Sequence, residues 1–411
     1  MINVTINPTF LSGDIQAPAS KSVAHRMLIC AALAKEKSTI IINKTSQDIE
    51  ATARCLEAVG VTIEKDGSTW TVTPPCEFRK EAVLDCGESG STLRFMLPVV
   101  SALGINATFI GHGRLLSRPI SDLTDEMKRH GVVFADTEQL QISGKLTSGK
   151  YTIAGNISSQ FITGLLLALP LCDGISEIEV LPPVESKPYI DITTKTLSLF
   201  GVNIEEKGNI YTLRKTDLHS GSFTVEGDWS NAAFLIALGA SVSGLDTDST
   251  QGDKKFLDVL ASLGAKIKKE NNVISADLSD LRGADIDASD IPDLVPVICA
   301  VAATAEGTTK IYNASRLRLK ESDRIETTVR MVNSLGGKAF STDDGIVVEG
   351  QKALTGGTVD GCNDHRIVMS AAVASLRCEN PVTIIGADAV NKSYPDFFKD
   401  FNSLGGDINV M

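Results

Sequence analysis

The chain of 411 residues is poor in what metal centres, disulfide frameworks and nucleic-acid surfaces are made from. Its eight cysteines are scattered without a Cys-x-x-Cys pair, and its five histidines form no cluster with them. No zinc site or disulfide framework is expected, and the cytoplasm, a reducing compartment, is the expected location. Positive charge is scarce too, with 39 Lys and Arg against 51 Asp and Glu and a net charge of -12. Binding a nucleic-acid backbone needs a net basic face, so nucleic acid is not an expected partner. The longest apolar runs, Ile162 to Cys172 and Val295 to Ala305, fall short of the roughly 20 residues that span a bilayer. Residues 1–20 hold no Lys or Arg and so lack the basic start of a secretory signal, and no membrane partner is expected. What the chain does have is apolar material, 43% hydrophobic against 22% charged. That composition and length predict a soluble globular protein of two or three domains.

A short signature recurs: a helical segment ends in an apolar residue and Gly, then a strand, a polar turn and another strand follow. The junction glycines Gly60, Gly131, Gly201, Gly264, Gly336 and Gly405 are 71, 70, 63, 72 and 69 residues apart. Such regularity marks an internal repeat. Each copy also carries an earlier helix that is apolar nearly all round, for example Leu28 to Ala34, Phe161 to Leu171, Ala232 to Ala240 and Val368 to Leu376. Helices without a polar face belong in a core.

The repeats differ where those helices begin. The six starts are Ser20-Lys-Ser22 with Arg26, Ser89-Gly-Ser91 with Arg94, Ser158-Ser-Gln160, Asp228-Trp-Ser230, Asp290-Ile-Pro-Asp293 and Asn363-Asp-His-Arg366. Three are hydroxyl-rich and three acidic, which groups the repeats three and three into two pseudo-symmetric domains. Hydroxyls and Asp are good N-caps and need no further explanation. Lys21, Arg26, Arg94 and Arg366 do, because a cation at a helix N-terminus opposes the dipole unless an anionic ligand is bound there.

The stretch Arg316-Leu-Arg-Leu-Lys-Glu-Ser-Asp-Arg324 puts four cations and two carboxylates into nine residues. Alternating Leu317 and Leu319 predict a strand end with one basic face, and Ser322 or Asp323 is expected to cap a helix that stops at Gly336-Gly337. The stretch is either a solvated basic face or an anion site. Gly144-Lys-Leu-Thr-Ser-Gly149-Lys150 approaches a phosphate-binding loop, but Tyr151 follows where Ser or Thr is required. It is predicted to be a hairpin turn between Leu140 to Ser143 and Tyr151 to Ala154. His130 and His219 are expected at the surface near turns.

The motifs Ala19-Ser-Lys-Ser-Val-Ala-His-Arg26, Gly87-Glu-Ser-Gly-Ser-Thr-Leu-Arg94, Ser117-Arg-Pro-Ile120, Ser158-Ser-Gln-Phe161, Ser186-Lys-Pro-Tyr-Ile-Asp191, Ile291-Pro-Asp293, Arg316 to Arg324, Asn363-Asp-His-Arg366 and Lys392-Ser-Tyr-Pro-Asp396 together resemble the EPSP synthase branch of the enolpyruvyl transferase family. The resemblance runs from Ala17 to the C-terminus. It implies an α/β fold of two inside-out domains, each with three pseudo-repeated strand-helix units and buried helices, around an interdomain active-site cleft. The boundaries it implies are residues 14–225 for the N-terminal domain, and 1–13 with 226–411 for the C-terminal one. A double crossover hinge joins them, with the return strand near Val225 to Asp228.

The implied reaction moves the enolpyruvyl group of phosphoenolpyruvate to the 5-hydroxyl of shikimate 3-phosphate, without metal or cofactor, in a monomer. Lys21, Ser22, Arg26, Ser158, Ser159, Gln160, Ser186, Asp293, Arg316 and Lys320 are the implied contacts of shikimate 3-phosphate. Lys21, Gly90, Arg118, Gln160, Arg324, Arg366 and Lys392 are those of phosphoenolpyruvate. Asp293 is expected to take the hydroxyl proton and Glu321 to protonate the methylene, with Lys392 or Lys21 assisting the departing phosphate. Two departures stand out. Glu88 replaces a usual Asn and is expected to repel the donor unless it pairs with a neighbouring Arg, and Phe95 is bulkier than usual. Alternatives are the sister transferase acting on UDP-N-acetylglucosamine, whose reactive Cys position is Gly113 here, and a non-catalytic anion-binding protein on the same fold.

Overall fold

The computed structural model describes residues 2–137 and 139–410. The chain divides into two compact units, one of Met1–Pro18 with Glu226–Met411 and the other of Ala19–Val225. Among the described residues there are six four-stranded sheets, three in each unit. All six share one pattern. In the sheet of the second repeat, Glu81–Asp85 runs parallel to Asn106–Ile110, which pairs antiparallel with Leu140–Gly144, which pairs antiparallel with Val132–Phe134. A parallel pair needs a crossover, and the buried helix Gly90–Leu103 supplies it.

The two places where the pattern borrows a distant strand explain why the N-terminal segment sits with the C-terminal repeats. Asn3–Asn7 fills a position between Val382–Ile385 and Asp407–Val410, pairing antiparallel with both. Asp14–Gln16 fills the parallel edge beside Ser241–Ser243. Reciprocally, Ser222–Thr224 lies parallel to Ser38–Ile41 in the other unit. The expected start of the N-terminal domain at residue 14 is therefore moved to Ala19, because pairing with Ser241–Ser243 commits residues 14–16 to the unit of the later repeats. The strand Ser222–Thr224 still belongs to the unit Ala19–Val225, and the chain passes back to the other unit between Val225 and Glu226. Beyond it Asp228 N donates to Pro18 O at 2.8 Å, and a Cβ on Gly227 would stand 2.3 Å from Gly244 O. Only glycine fits so close to a neighbouring backbone.

The junction glycines end their helices as their spacing suggests. All six have left-handed backbones, with φ between 84° and 108°, and they close the preceding helices where an L side chain would be strained. The helices Lys21–Leu33, Gly90–Leu103 and Ser159–Ala168 contribute to one core, and Trp229–Ala237, Val295–Ala302 and His365–Ser375 to the other. Each buried Leu, Ile or Phe in them contributes about 1.5–3 kcal/mol. Helix packing is close enough that a Cβ on Gly164 would stand 2.3 Å from Arg94 O.

Two local expectations fail. Residues 144–150 are not a hairpin: Leu140–Gly144 and Lys150–Ala154 belong to different sheets. The linking segment is drawn inward by Leu146, 1% exposed, whose N donates to Ser101 O. Likewise Arg316 to Lys320 is no strand. The preceding strand ends at Tyr312, Asn313 is left-handed, and Ser315–Leu319 forms a 3-10 turn. Leu317 is buried and Leu319 exposed, so a single leucine anchors the turn and the alternation carries no sheet face. His130 is half-buried, stacked on Tyr151 at 3.8 Å, whereas His219 is exposed. Among the described residues no helix is long and apolar enough to cross a membrane.

Candidate active site

The residues singled out from the sequence fall into two sets, one in each unit. In the unit of the later repeats the centre is Arg324, the first residue of helix Arg324–Ser334 and 1% exposed. Its helix is capped by Asp323, which accepts from Glu326 N at 3.2 Å. Ser322, the other candidate cap, instead donates to Asp364 at 2.9 Å. Three carboxylates surround the Arg324 guanidinium. Asp364 takes Nε at 2.8 Å and Nη2 at 3.2 Å, Asp293 takes Nη1 at 2.9 Å, and Glu321 takes Nη2 at 2.6 Å. A buried guanidinium with this many anionic partners is held in one orientation.

Asp293 is gripped from two more sides, by Lys320 at 3.2 Å and Arg366 at 3.6 Å. It lies in the 3-10 turn Pro292–Leu294, ahead of helix Val295–Ala302, whose N-cap position is Leu294. Burial by itself would push its carboxyl up. Lys320, Arg324 and Arg366 outweigh burial and hold it well below the usual carboxylate range. Burial pushes the Lys320 ammonium down, against the pull of Asp293. Lys392, 5% exposed, donates to Asn363 O at 2.6 Å, directly before the N-cap Asp364 of helix His365–Ser375. Arg316 is turned to Ser289 O at 2.7 Å. Lys320, Glu321, Arg324, Asp293, Arg366 and Lys392 thus converge on the beginnings of three elements, and Arg316 lies at the edge of the set.

In the unit Ala19–Val225 the predicted residues also stand at helix starts. Lys21 opens Lys21–Leu33 and pairs with Asp48 at 2.9 Å, with Ser22 beside it. Gly90 opens Gly90–Leu103, where a Cβ would stand 2.5 Å from Arg94 Nη1 and 2.8 Å from Arg118 Nη1. Arg94 Nη1 donates to Gln160 Oε1 at 3.0 Å, and Gln160 Nε2 to Ser91 Oγ at 2.9 Å. This joins Gly90, Arg118, Gln160 and the cap Ser158 into one group, with buried Ser159 next in line. Ser186, left-handed at φ 54°, precedes Lys187–Leu199. Helix N-termini and guanidinium groups so placed suit anions.

Arg26 is bonded within its own unit. Its side chain is buried, Nε donating to Thr193 at 2.8 Å, Nη1 to Ser22 O at 2.6 Å, and Nη2 to Thr163 at 3.1 Å and Tyr189 O at 3.0 Å. Four of five donor hydrogens are spent inside the unit, and burial pushes the guanidinium down to about 9. Glu88 folds toward the loop after Asn106–Ile110, where a Cβ on Gly113 would meet its Oε2 at 2.7 Å. Phe95 is buried beneath Arg26, ring centroid 5.0 Å from the guanidinium.

The substrate contacts expected from the sequence do not include Asp364, Asp48 or Arg94, although Arg94 is among the cations singled out at helix starts. Arg94 has a readable signal, one helical turn after Gly90. Asp364 and Asp48 show themselves only through the cations they face.

The family model for EPSP synthase (3-phosphoshikimate 1-carboxyvinyltransferase) matches residues 6–401. Proteins named 3-phosphoshikimate 1-carboxyvinyltransferase from Clostridium kluyveri and Clostridium acetobutylicum are each 42% identical, over 99% of this chain and 98% of theirs. The solved structure of the EPSP synthase of Acinetobacter baumannii superposes with a TM-score of 0.82 at 26% identity, covering 100% of both chains. By the family model and by full-length relatives, this chain belongs to the EPSP synthase family.

Proposed function

We propose that this protein transfers the enolpyruvyl group of phosphoenolpyruvate to the 5-hydroxyl of shikimate 3-phosphate and releases phosphate. The observation that carries the reading, beside family membership, is that one buried guanidinium, Arg324, holds both Asp293 and Glu321. A proton-accepting and a proton-donating carboxyl are then linked through a cation that an anionic substrate would also seek.

Shikimate 3-phosphate is assigned to Lys21, Ser22, Ser158, Ser159, Gln160, Ser186, Asp293, Arg316 and Lys320, with Arg26 acting mainly by fixing Ser22 and the helix starts. Phosphoenolpyruvate is assigned to Lys21, Gly90, Arg118, Gln160, Arg324, Arg366 and Lys392. A cation–anion contact near 4 Å is worth about 4 kcal/mol at an effective dielectric of 20, before desolvation is charged against it. A group of cations is therefore required to hold two polyanions together. When the donor's charges occupy Arg324 and Arg366, those cations loosen their hold on Asp293 and Glu321, and both carboxylates become stronger bases. Glu321 binds a proton from solvent, and Asp293 then takes the 5-hydroxyl proton as that oxygen bonds to C2 of the donor while the C2–C3 double-bond pair takes the Glu321 proton at C3. In elimination Glu321 takes a proton back from the new methyl group, the freed C–H pair restores the C2–C3 double bond as the C2–phosphate oxygen bond breaks, and the proton held by Asp293 passes to the leaving phosphate, whose charge Lys392 or Lys21 neutralises.

We read the enzyme as a cytoplasmic monomer that requires no metal or cofactor, on the family resemblance alone. The test is phosphate release that requires both shikimate 3-phosphate and phosphoenolpyruvate, with UDP-N-acetylglucosamine as control acceptor. Release with the sugar nucleotide only would overturn the assignment, and release with neither acceptor would favour a non-catalytic anion-binding role.

A further inference from the structure

One buried carboxyl near the Arg324 cluster has no part in the reaction described above. Asp253 lies in the 3-10 turn Gly252–Lys255 and is 3% exposed. Its Oδ2 accepts a hydrogen bond from Ser230 Oγ, in the first turn of helix Trp229–Ala237. Its Oδ1 is buried and has no hydrogen-bond partner among the described residues. The segment carrying it is tied down independently: Gln251 Oε1 accepts from Trp229 N at 3.1 Å, and Gln251 Nε2 donates to Glu226 at 2.8 Å and to Gly227 O at 2.8 Å. Asp253 is therefore held in place by its backbone neighbours whether or not it carries a charge.

The charged groups that act on it from the surrounding elements are Asp293, Arg366 and Asp228. On its own turn, Lys255 is engaged with Asp290 at 2.8 Å. Arg366 is 3% exposed, and its Nε and Nη1 are buried with no hydrogen-bond partner among the described residues. Its guanidinium lies 5.6 Å from the ring centroid of Phe234. Phe234 and Ser230 are one turn apart on the same helix, so a single short element holds Asp253 and supports Arg366.

We propose that Asp253 is a positioning residue for the donor side of the reaction, a buried carboxyl whose proton decides how strongly Arg366 and its neighbours attract an anion. Neutral, Asp253 leaves Asp293 as the carboxylate paired with Arg366. Ionised, it adds a second negative charge to the cluster, opposes an arriving phosphate or carboxylate, and makes Asp293 hold a proton more readily. Burial first, with Asp293 and Asp228 in the same direction, pushes the Asp253 carboxyl up, and Ser230 and Arg366 partly offset them, leaving it raised to about 7. Its charge therefore changes within the range where the enzyme can be assayed, and donor binding is linked to retention of that proton.

This inference rests on the assignment of Arg366 to phosphoenolpyruvate. The test compares wild type with Asp253→Asn, which keeps the size and can still accept from Ser230. With acceptor saturating, the wild-type KM for phosphoenolpyruvate is expected to rise between pH 6 and pH 8.5 by about fivefold more than that of Asp253→Asn, the low end of ordinary site-to-site coupling. At pH 6 the two are expected to agree in kcat and KM within about twofold. A merely structural role would lower stability without changing the pH slope, so equal slopes overturn the proposal. If Asp253→Asn does not fold, Ser230→Ala serves: losing the hydroxyl should move the rise in KM to higher pH, and an unmoved or lowered midpoint overturns the proposal. If the wild type shows no turnover of phosphoenolpyruvate, the assigned reaction fails first. Calorimetric titration with inorganic phosphate over the same pH series then tests Asp253 separately, with equal pH slopes in wild type and variant again the overturning result.

Discussion

Replacing Asp364 by Asn isolates the charge that holds Arg324 in place. Asp364 is fully buried and accepts four hydrogen bonds: from Arg324 Nε at 2.8 Å, Arg324 Nη2 at 3.2 Å, Ser322 Oγ at 2.9 Å and Arg366 N at 3.0 Å. Asn keeps the shape and can still cap Arg366 N through its amide oxygen, so the loss is that of the charge and of the acceptor at Oδ2. Breaking a buried ion pair usually costs about 3–5 kcal/mol, because the remaining charge is stranded. Here Arg324 keeps Asp293 and Glu321, and the larger figure does not apply. Two charge-assisted bonds become ordinary ones or are lost, at about 1–1.5 kcal/mol each. The expected destabilisation is about 2–3 kcal/mol, or a fall of roughly 4–12 °C in the melting transition of a unit of this size. Calorimetry resolves it, and added salt should leave the difference intact because the pair is buried. Asp364→Ala should cost about 0.5–2 kcal/mol more, for the cap it also removes. A fall below about 2 °C for Asp364→Asn, or a difference that disappears in salt, would refute the claim that this carboxylate holds Arg324 in place. Stability is the cleaner readout, since for donor binding the lost orientation and the gained positive potential pull in opposite directions.

Gly90→Ala places a methyl 2.5 Å from Arg94 Nη1 and 2.8 Å from Arg118 Nη1. The guanidinium ends must shift by about 1 Å to restore contact distance. The KM for phosphoenolpyruvate should rise about tenfold or more, with little change in melting temperature, and an unchanged KM would remove these two cations from the donor site. His25 is buried against Thr52 at 2.7 Å and Phe95, and burial, helped by Lys21 and Arg26, pushes its pKa well below 6.5. The unfolded chain therefore binds a proton that the folded one refuses, so the stability is fully present above pH 6.5 and is lost as pH falls below it. The expected slope is about 1.4 kcal/mol per pH unit below 6.5, measured by denaturant titration and absent in His25→Asn.

The repeat was readable because its punctuation is chemical. A left-handed helix end strains any L side chain, so glycine recurs at the six junctions and their spacing alone outlines the units. Apolar helices without a polar face have only a core to enter, and four of the six helix starts carry the side-chain caps Ser89, Ser158, Asp228 and Asp364, with cations set against the dipole as the other mark. The chemistry of the Arg316 to Arg324 stretch was legible in kind, as cations and carboxylates crowded together, while its conformation was misjudged. Alternation of Leu317 and Leu319 resembles a strand, and only packing shows that one leucine is buried and the other is not.

The amino-acid sequence by itself determined the repeats, the buried helices, the residue types of the site and the family to which the chain belongs. Tertiary structure alone decided what those residues touch. It sent residues 14–18 to the later repeats through pairing with Ser241–Ser243, turned Arg26 inward to hold helices together, bonded Asp364 to Arg324, and buried Asp253 under the influence of Asp293 and Arg366. The reason is that local signals act over a few residues, whereas strand pairing, ion pairing and burial join residues whose separation along the chain carries no mark of their meeting.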